Sequence, residues 1–344
     1  MAKPLLRATA AEIDQHEGSG YAARMLEVLN LALPFFGLIF LGLGCGKFKA
    51  IPEAGLAWMD FFILYVALPA LFYRIVAQTP LEELANPRFI VATMLGTFCA
   101  AAISFALSML VRRGQIAEST IAGLAGGYGN IGYMGPGLAL ATLGSAATAP
   151  VALIFCFDSV LLFTLTPFMM ALAGTDKKGF AANAADVIRR IALHPLMLAT
   201  VLGVLSAAAH FEPPVALDRL LAFLQNGAAP TALFTLGVTV ALRPLVKMPW
   251  EVPLAISVKL VVHPALALLL MSFFGPFNDI WVYTAVLMAA LPPALNVFVL
   301  ARQYNAWVEQ ASSAVLFGTL ISVATLTTVM WLVKTQQLPV AVFR

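Results

Sequence analysis

Charge is what this sequence has least of. Asp, Glu, Lys and Arg make up 11% of its 344 residues, against roughly a quarter in ordinary soluble domains. A water-facing globular surface is excluded. The net charge of +3 is small and scattered along the chain, so no basic face for nucleic acid exists. Cysteine is scarce too. Cys45, Cys99 and Cys156 all fall in apolar runs; their odd number and lack of ligand spacing exclude a disulfide framework and a metal site. Gly126, Gly127 and Gly129 are not followed by Gly-Lys-Ser/Thr, which removes a phosphate loop and ATP as the energy source. His16 and His210 lie outside the apolar runs and His194 at a helix start. With no nucleophile–base constellation, neither an enzyme nor a cofactor is expected. A cleaved signal peptide is not expected either, because the first apolar run begins near Leu26 and is long enough to span.

What remains is hydrophobic: 61% of the residues are apolar. Runs of about 20 such residues, the length that crosses a bilayer core, lie near 26–46, 55–77, 87–111, 118–142 and 148–173. A polar loop at 174–190 separates these from runs near 191–209, 217–242, 250–274, 280–302 and 309–333. The expected protein is all-α, with ten transmembrane helices in two halves, 25–173 and 191–335. Residues 1–24 read as a polar disordered tail, and 336–344 as a C-terminal tail. Met25, directly before the first run, is a candidate physiological start. Lys47, Lys49, Arg112, Arg113, Lys177, Lys178, Arg189 and Arg190 cluster in alternate loops, as do Arg243, Lys247 and Arg302. The excess of positive charge on one side makes the 174–190 loop cytoplasmic and both termini external.

Two apolar runs are broken. Ala125-Gly-Gly-Tyr-Gly-Asn-Ile-Gly-Tyr-Met-Gly-Pro-Gly137 interrupts the fourth, and Ala290-Leu-Pro-Pro-Ala-Leu-Asn296 the ninth. Proline lacks an amide donor and clashes with the preceding turn, and glycine weakens helix. In lipid such backbone survives only against protein or a watery cavity. The halves also resemble each other. Pro34 to Gly42 has the spacing of Pro195 to Gly203, and Pro69-Ala-Leu-Phe72 resembles Pro230-Thr-Ala-Leu-Phe234. Five spans per half make the halves inverted. Inverted repeats with matching interrupted helices mark a secondary transporter.

Asn130-Ile-Gly-Tyr-Met-Gly-Pro136, Leu291-Pro-Pro-Ala-Leu-Asn-Val-Phe-Val-Leu-Ala-Arg-Gln-Tyr304 and Leu68-Pro-Ala-Leu-Phe72 resemble the auxin efflux carrier family over about residues 25–335. Its bacterial members include permeases for malonate, malate and other small carboxylates. The resemblance implies two inverted five-helix repeats, similar to bile-acid symporters and some sodium/proton antiporters. Spans one, two, six and seven would form a scaffold, through which a homodimer is implied. The other spans would form a mobile domain in which spans four and nine cross at their breaks. The tail at 1–24 and the short central loop depart from many plant members.

At such a crossing the half-helices after Pro136 and Pro292 aim their N-termini at one point, where unsatisfied amides suit a carboxylate. Candidate substrate contacts are Asn130, Ile131, Gly132, Tyr133, Gly135, Pro136, Pro292, Pro293 and Asn296. The asparagines either line a site or cap unwound backbone. Asp158 and Lys259 each lie about ten residues into a span, roughly 15 Å deep. Their matching depth suggests that they pair. The pair is either a proton-linked switch, similar to an Asp–Lys pair in some antiporters of this fold, or a static bridge. His263 joins them as a group that titrates near neutral pH, although His263-Pro264 reads first as a local backbone feature. Asp60 and Asp279 fall at span ends, and Trp58, Trp250, Trp281 and Tyr283 fit interfacial belts. Thr164, Thr166 and Pro167 read as a kink.

The expected function is a secondary carrier, in a bacterial inner membrane, for a small organic anion, a mono- or dicarboxylate, driven by a proton or sodium gradient. A sodium- or proton-coupled symporter or antiporter for another substrate, such as a bile-acid-like anion, is the rival within transport. A non-transporting membrane sensor is the rival outside it.

Overall fold

The computed structural model describes residues 10–49, 52–174, 188–189, 192–242 and 248–340. Its described elements are all helical: α1 (Ala10–Phe48), α2 (Ala54–Ala77), α3 (Pro87–Val111), α4 (Ile116–Gly127), α5 (Gly135–Leu143) and α6 (Thr148–Leu172). After the central loop come α7 (Pro195–Ala208), α8 (Val215–Ala241), α9 (Val252–Phe274), α10 (Asp279–Ala289), α11 (Leu295–Tyr304) and α12 (Val308–Lys334).

Among the described residues, six helices are continuous and apolar enough to cross a membrane: α2, α3, α6, α9, α12 and the Asn30–Phe48 part of α1. α7 and α10 are apolar but shorter. α8 is long, with Asp218, Arg219, Gln225 and Asn226 in its first turns. The fourth and ninth apolar runs are each divided, into α4 and α5 and into α10 and α11. α1 begins at Ala10, so residues 10–24, expected as a disordered tail, continue the helix. Extending an existing helix avoids the cost of nucleating one, and Ala, Glu and Gln favour it. Residues 1–9 lie outside the described ones, as do most of the 174–190 loop and 243–247.

α2 and α9 each contain one widened turn, Ile63–Ala67 and Val258–Val262. Each widened turn ends just before an X-Pro pair, Leu68-Pro69 and His263-Pro264. Proline cannot donate to the carbonyl four residues back and its ring pushes on that turn, so the helix absorbs the mismatch as a single π-type turn.

The helices pack as two groups. α1 lies along α8, and α2 along α7 and α8. α3 packs on α4, α6 and α9, while α9 also meets α10 and α12 meets α11. Small residues set the closest approaches. Gly42 of α1 sits on the Phe234 carbonyl and Val238 of α8, and Gly237 of α8 sits on the Ile39 carbonyl of α1. Without side chains at the contact, the backbones approach closely and gain dispersion that lipid cannot replace. Gly203 of α7 lies equivalently against Tyr73 and Val76 of α2. Gly123 and Gly127 of α4 lie against Ala101 of α3, where an added Cβ on Gly127 would meet the Ala101 methyl at 2.7 Å. The sequence's glycine cluster thus serves helix approach, as its rejection as a phosphate loop requires.

Candidate functional site

The two interruptions meet. Asn130 N–H donates to the Pro292 carbonyl at 2.8 Å, and Ala294 N–H donates to the Tyr128 carbonyl at 3.2 Å. Gly129 and Pro293 face each other as one antiparallel bridge. Each break therefore satisfies part of the other's freed backbone, as burial away from water demands. Gly318 of α12 receives the Pro293 ring, which lies 2.6 Å from where a Cβ would stand.

The two half-helices begin differently, although neither has a side-chain cap on its first turn. The Asn130 carbonyl accepts the amides of Met134 and Gly135, both at 3.1 Å. Its side-chain Oδ1 accepts the Tyr133 amide at 3.3 Å. Asn130 thus holds the turn that leads into α5, with its Nδ2 donor left over: the residue is 3% exposed and Nδ2 has no partner among the described residues. At α11 no side chain caps the N-terminus. Among the described residues, the Leu295 and Asn296 amides donate to no protein acceptor. Asn296 itself is exposed, and Tyr128 and Ser159 line the same cavity with it.

These donors open on a cavity of about 620 Å³ that starts at Tyr128, Gly129 and Asn130 and reaches Arg189, His194 and Tyr304. Gly132, Tyr133 and Asn296 line it, whereas Gly135, Pro136, Pro292 and Pro293 shape the crossing from behind and Ile131 is buried beside it. The positive end of the α11 dipole and the spare Nδ2 donor suit a carboxylate. Arg189 adds a cation at the far end. Sequence reasoning missed Arg189, and also Thr166 and Pro167, which line the cavity. The Thr166 hydroxyl has no partner among the described residues, so it does not satisfy a kink. Phe155 closes one wall, and Phe72 of α2 packs behind it with ring centroids 4.2 Å apart.

Behind the crossing lies a second cluster. Lys259, fully buried in the widened turn of α9, donates to the Ala289 carbonyl at the end of α10. A cation there complements the negative end of that half-helix. Lys259 Nζ also lies 2.9 Å from His263 Nδ1, His263 Nε2 lies 3.4 Å from Thr97 Oγ1, and Thr97 donates to Asp158 Oδ2 at 2.8 Å. Asp158 and Lys259 therefore do not touch, contrary to the expected direct pair. Thr97 and His263 stand between them. The His263 ring is a member of this chain rather than a bystander of the His-Pro backbone. Asp158 Oδ1 has no partner among the described residues and borders a small void of about 10 Å³. Gly129 lines both this void and the large cavity, and its missing side chain admits Lys259: a Cβ would lie 3.1 Å from Nζ.

Of the residues expected at membrane interfaces, Trp58 and Trp250 are exposed. Tyr283 is buried, and Trp281 packs edge-on against Phe89 at 4.7 Å, so these two belong to the interior. Among the described residues no His, Cys, Asp and Glu group suits a metal ion.

Comparison with known proteins places the chain among membrane transporters. Over 319 residues the chain is 49% identical to a protein of Rhizobium meliloti (strain 1021) named "Putative malonate transporter", covering 93% of this chain and 100% of that one. It is 24% identical over 300 residues to the "Uncharacterized transporter YfdV" of Escherichia coli (strain K12), covering 85% and 93%. With auxin efflux carrier component 8 of Arabidopsis thaliana it shares 28% identity over 163 residues, covering 45% and 44%. The family model described as "Membrane transport protein" matches residues 28–331. The chain thus belongs to the membrane transport protein family, to which the auxin efflux carriers are related, and is a membrane transporter and not an enzyme.

Proposed function

We propose that this protein is a secondary active carrier of a small mono- or dicarboxylate, bound at the crossing of the two broken helices. One observation carries the reading: at a buried backbone crossing, the uncapped amides of α11 and the spare Asn130 Nδ2 face a cavity large enough for such an anion. A buried donor without an acceptor, as Asn130 Nδ2 is, is costly, and a carboxylate would satisfy it together with the open α11 amides. The name of the Rhizobium meliloti relative makes malonate the first substrate to test. Asn130, Gly132, Tyr133 and Asn296 would contact it, with Ile131, Gly135, Pro136, Pro292 and Pro293 holding the crossing. Asp158, Lys259 and His263 would carry the coupling ion, a proton.

The ten-span arrangement of inverted repeats, 25–173 and 191–335, is supported by more than the paired breaks. Gly42 of the first span meets the seventh at Val238, and Gly203 of the sixth meets the second at Val76. Aligning Ala-Leu-Phe of 70–72 with 232–234 makes Val76 and Val238 equivalent. The contact and its mirror thus recur in both halves. Scaffold (α1, α2, α7, α8) and mobile body (the rest) would then rock past each other in the bilayer. With both termini external, the cavity faces the cytoplasm across a bacterial inner membrane. A homodimer would form through the outer faces of the scaffold.

The test is malonate flux into liposomes that contain only this protein. We expect saturable uptake that Asn296→Ala lowers about tenfold, the effect of one charge-assisted hydrogen bond. Asp158→Asn should leave malonate binding in place and flatten the dependence of flux on pH. If no small carboxylate is transported and malonate gives no thermal stabilisation, the anion-carrier reading fails.

A further inference from the structure

We propose that Thr97 and His263 join Asp158 and Lys259 into one proton relay, along which the buried pair becomes charged or neutral as a unit. This rests on the reading of Asp158 and Lys259 as the coupling groups and adds Thr97, which no sequence feature marked.

The argument is a count of donors. A hydroxyl has one hydrogen. Thr97 spends it on Asp158 Oδ2 at 2.8 Å, so towards His263 it can only accept. His263 Nε2, at 3.4 Å from Thr97 Oγ1, must then carry the ring proton. A neutral imidazole protonated at Nε2 has an acceptor at Nδ1, and that atom faces Lys259 Nζ at 2.9 Å. The chain therefore has a direction, from Lys259 through His263 and Thr97 to Asp158, when the lysine is an ammonium and the aspartate a carboxylate.

Proton transfer along this chain reverses the direction of its hydrogen bonds. One proton leaves Lys259 Nζ for His263 Nδ1, the Nε2 proton passes to Thr97 Oγ1, and the Thr97 hydroxyl proton passes to Asp158 Oδ2. Three bonds to hydrogen break and three form, and no outside reactant is consumed. The products are a neutral amine, the other histidine tautomer and a carboxylic acid. Two charges that are expensive to bury apart are thereby removed together. The longest link, His263 to Thr97, is where the chain opens.

The other groups near Asp158 do not supply an alternative route. α9 presents His263 to the void beside Asp158, with Lys259 behind it, and the first break presents Gly129 and Ile131, with the Tyr128 phenol near enough to interact electrostatically with Asp158. α3 offers only Thr93 and Thr97 to the void beside Asp158, and α10 offers apolar side chains. Thr93 gives its hydroxyl to the Phe89 and Ile90 carbonyls of its own helix. Lys259 in turn reaches the crossing beside Gly129. An anion bound at the crossing therefore favours the charged lysine, which places substrate and relay in one electrostatic unit.

The test needs no substrate. In the full-length protein in lipid nanodiscs, the infrared carbonyl band of protonated Asp158 is identified by its loss in Asp158→Asn, and its pH midpoint is followed. We expect Lys259→Gln to move that midpoint by about one pH unit or more. In a Thr97→Val background, which keeps the shape and removes the hydroxyl, the same change should move it by less than half as much, and Thr97→Ser should restore the full effect. Should the valine variant not fold, Thr97→Ala repeats the test. An undiminished Lys259→Gln shift in the valine background means that the two groups interact only through space and overturns the relay. So does the absence of any Asp158 band across the accessible pH range. Unaltered pH dependence of malonate flux in Asp158→Asn would instead defeat the coupling reading, whatever the infrared result.

Discussion

Asn130 performs two tasks with the two ends of one amide. Its oxygen accepts the Tyr133 amide in the turn before α5, and its nitrogen is a buried donor without a partner among the described residues. Substitution can separate them. Asn130→Asp keeps the acceptor and replaces the donor by negative charge, so it should yield folded protein whose malonate affinity falls by a factor of about 10 to 100, the worth of a hydrogen bond to a charged group plus repulsion. Asn130→Ala removes both and should also lower the melting temperature, since losing the hydrogen bond from the Tyr133 amide costs about 1 kcal/mol. Thermal shift with and without malonate reads both effects, and equal malonate stabilisation of wild type and Asn130→Asp would exclude Nδ2 from the site. Thr97 is a second residue whose task the sequence conceals. Threonines in these helices mostly bond a carbonyl of their own helix, as Thr120, Thr235 and Thr284 do. A threonine that turns to a neighbouring helix has the same sequence signature as one that does not.

At the level of elements, glycine decides where helices touch. The α1–α8 contact has no room at Gly42 or Gly237, where an added Cβ would run into opposing backbone, while Gly44 has nothing within 4 Å. Gly42→Leu or Gly237→Leu should therefore destabilise the purified protein by about 1–3 kcal/mol, the cost of overpacking, with a lower melting temperature. Gly44→Ala should leave it unchanged or slightly raised. An equal fall for Gly44→Ala would mean that helix propensity, not the crossing, sets the effect. The breaks themselves were legible, because Pro136, Pro292, Pro293 and their glycine neighbours act on the local backbone. The pairing of Asn130 with Pro292 was not, since 162 residues of chain separate them and no local rule links them.

For the whole molecule, the distribution of polar contacts matters more than their number. Arg74 binds Asp218 and Gln225 within the α1, α2, α7 and α8 group. Arg112 joins Glu118 and Glu251 within the other. Between the groups, Cys156 Sγ makes a weak hydrogen bond to Thr200 Oγ1, 3.6 Å long. Ring contacts also join the groups, Phe72 against Phe155 and Phe163 against His194. Apolar surfaces without directional bonds can slide, and directional networks within each body keep it rigid. Cysteines placed at Phe72 and Phe155, after replacement of the native three, should arrest malonate flux when bridged by a short reducible linker and release it on reduction. Undiminished flux in the bridged protein would rule out rocking between these bodies.

The sequence by itself determined that the chain is a membrane protein of apolar helices, where two of those helices break, and which few charges are buried. These follow from composition and from the local chemistry of proline and glycine, which act wherever the chain goes. Tertiary structure alone decided that the two breaks meet and satisfy part of each other's backbone, Asn130 with Pro292 and Ala294 with Tyr128. It also decided that Asp158 and Lys259 meet through Thr97 and His263 rather than directly. Hydrogen bonds need close approach of donor and acceptor, and only the packing of α3, α6 and α9 brings these four side chains to successive separations of 2.8, 3.4 and 2.9 Å.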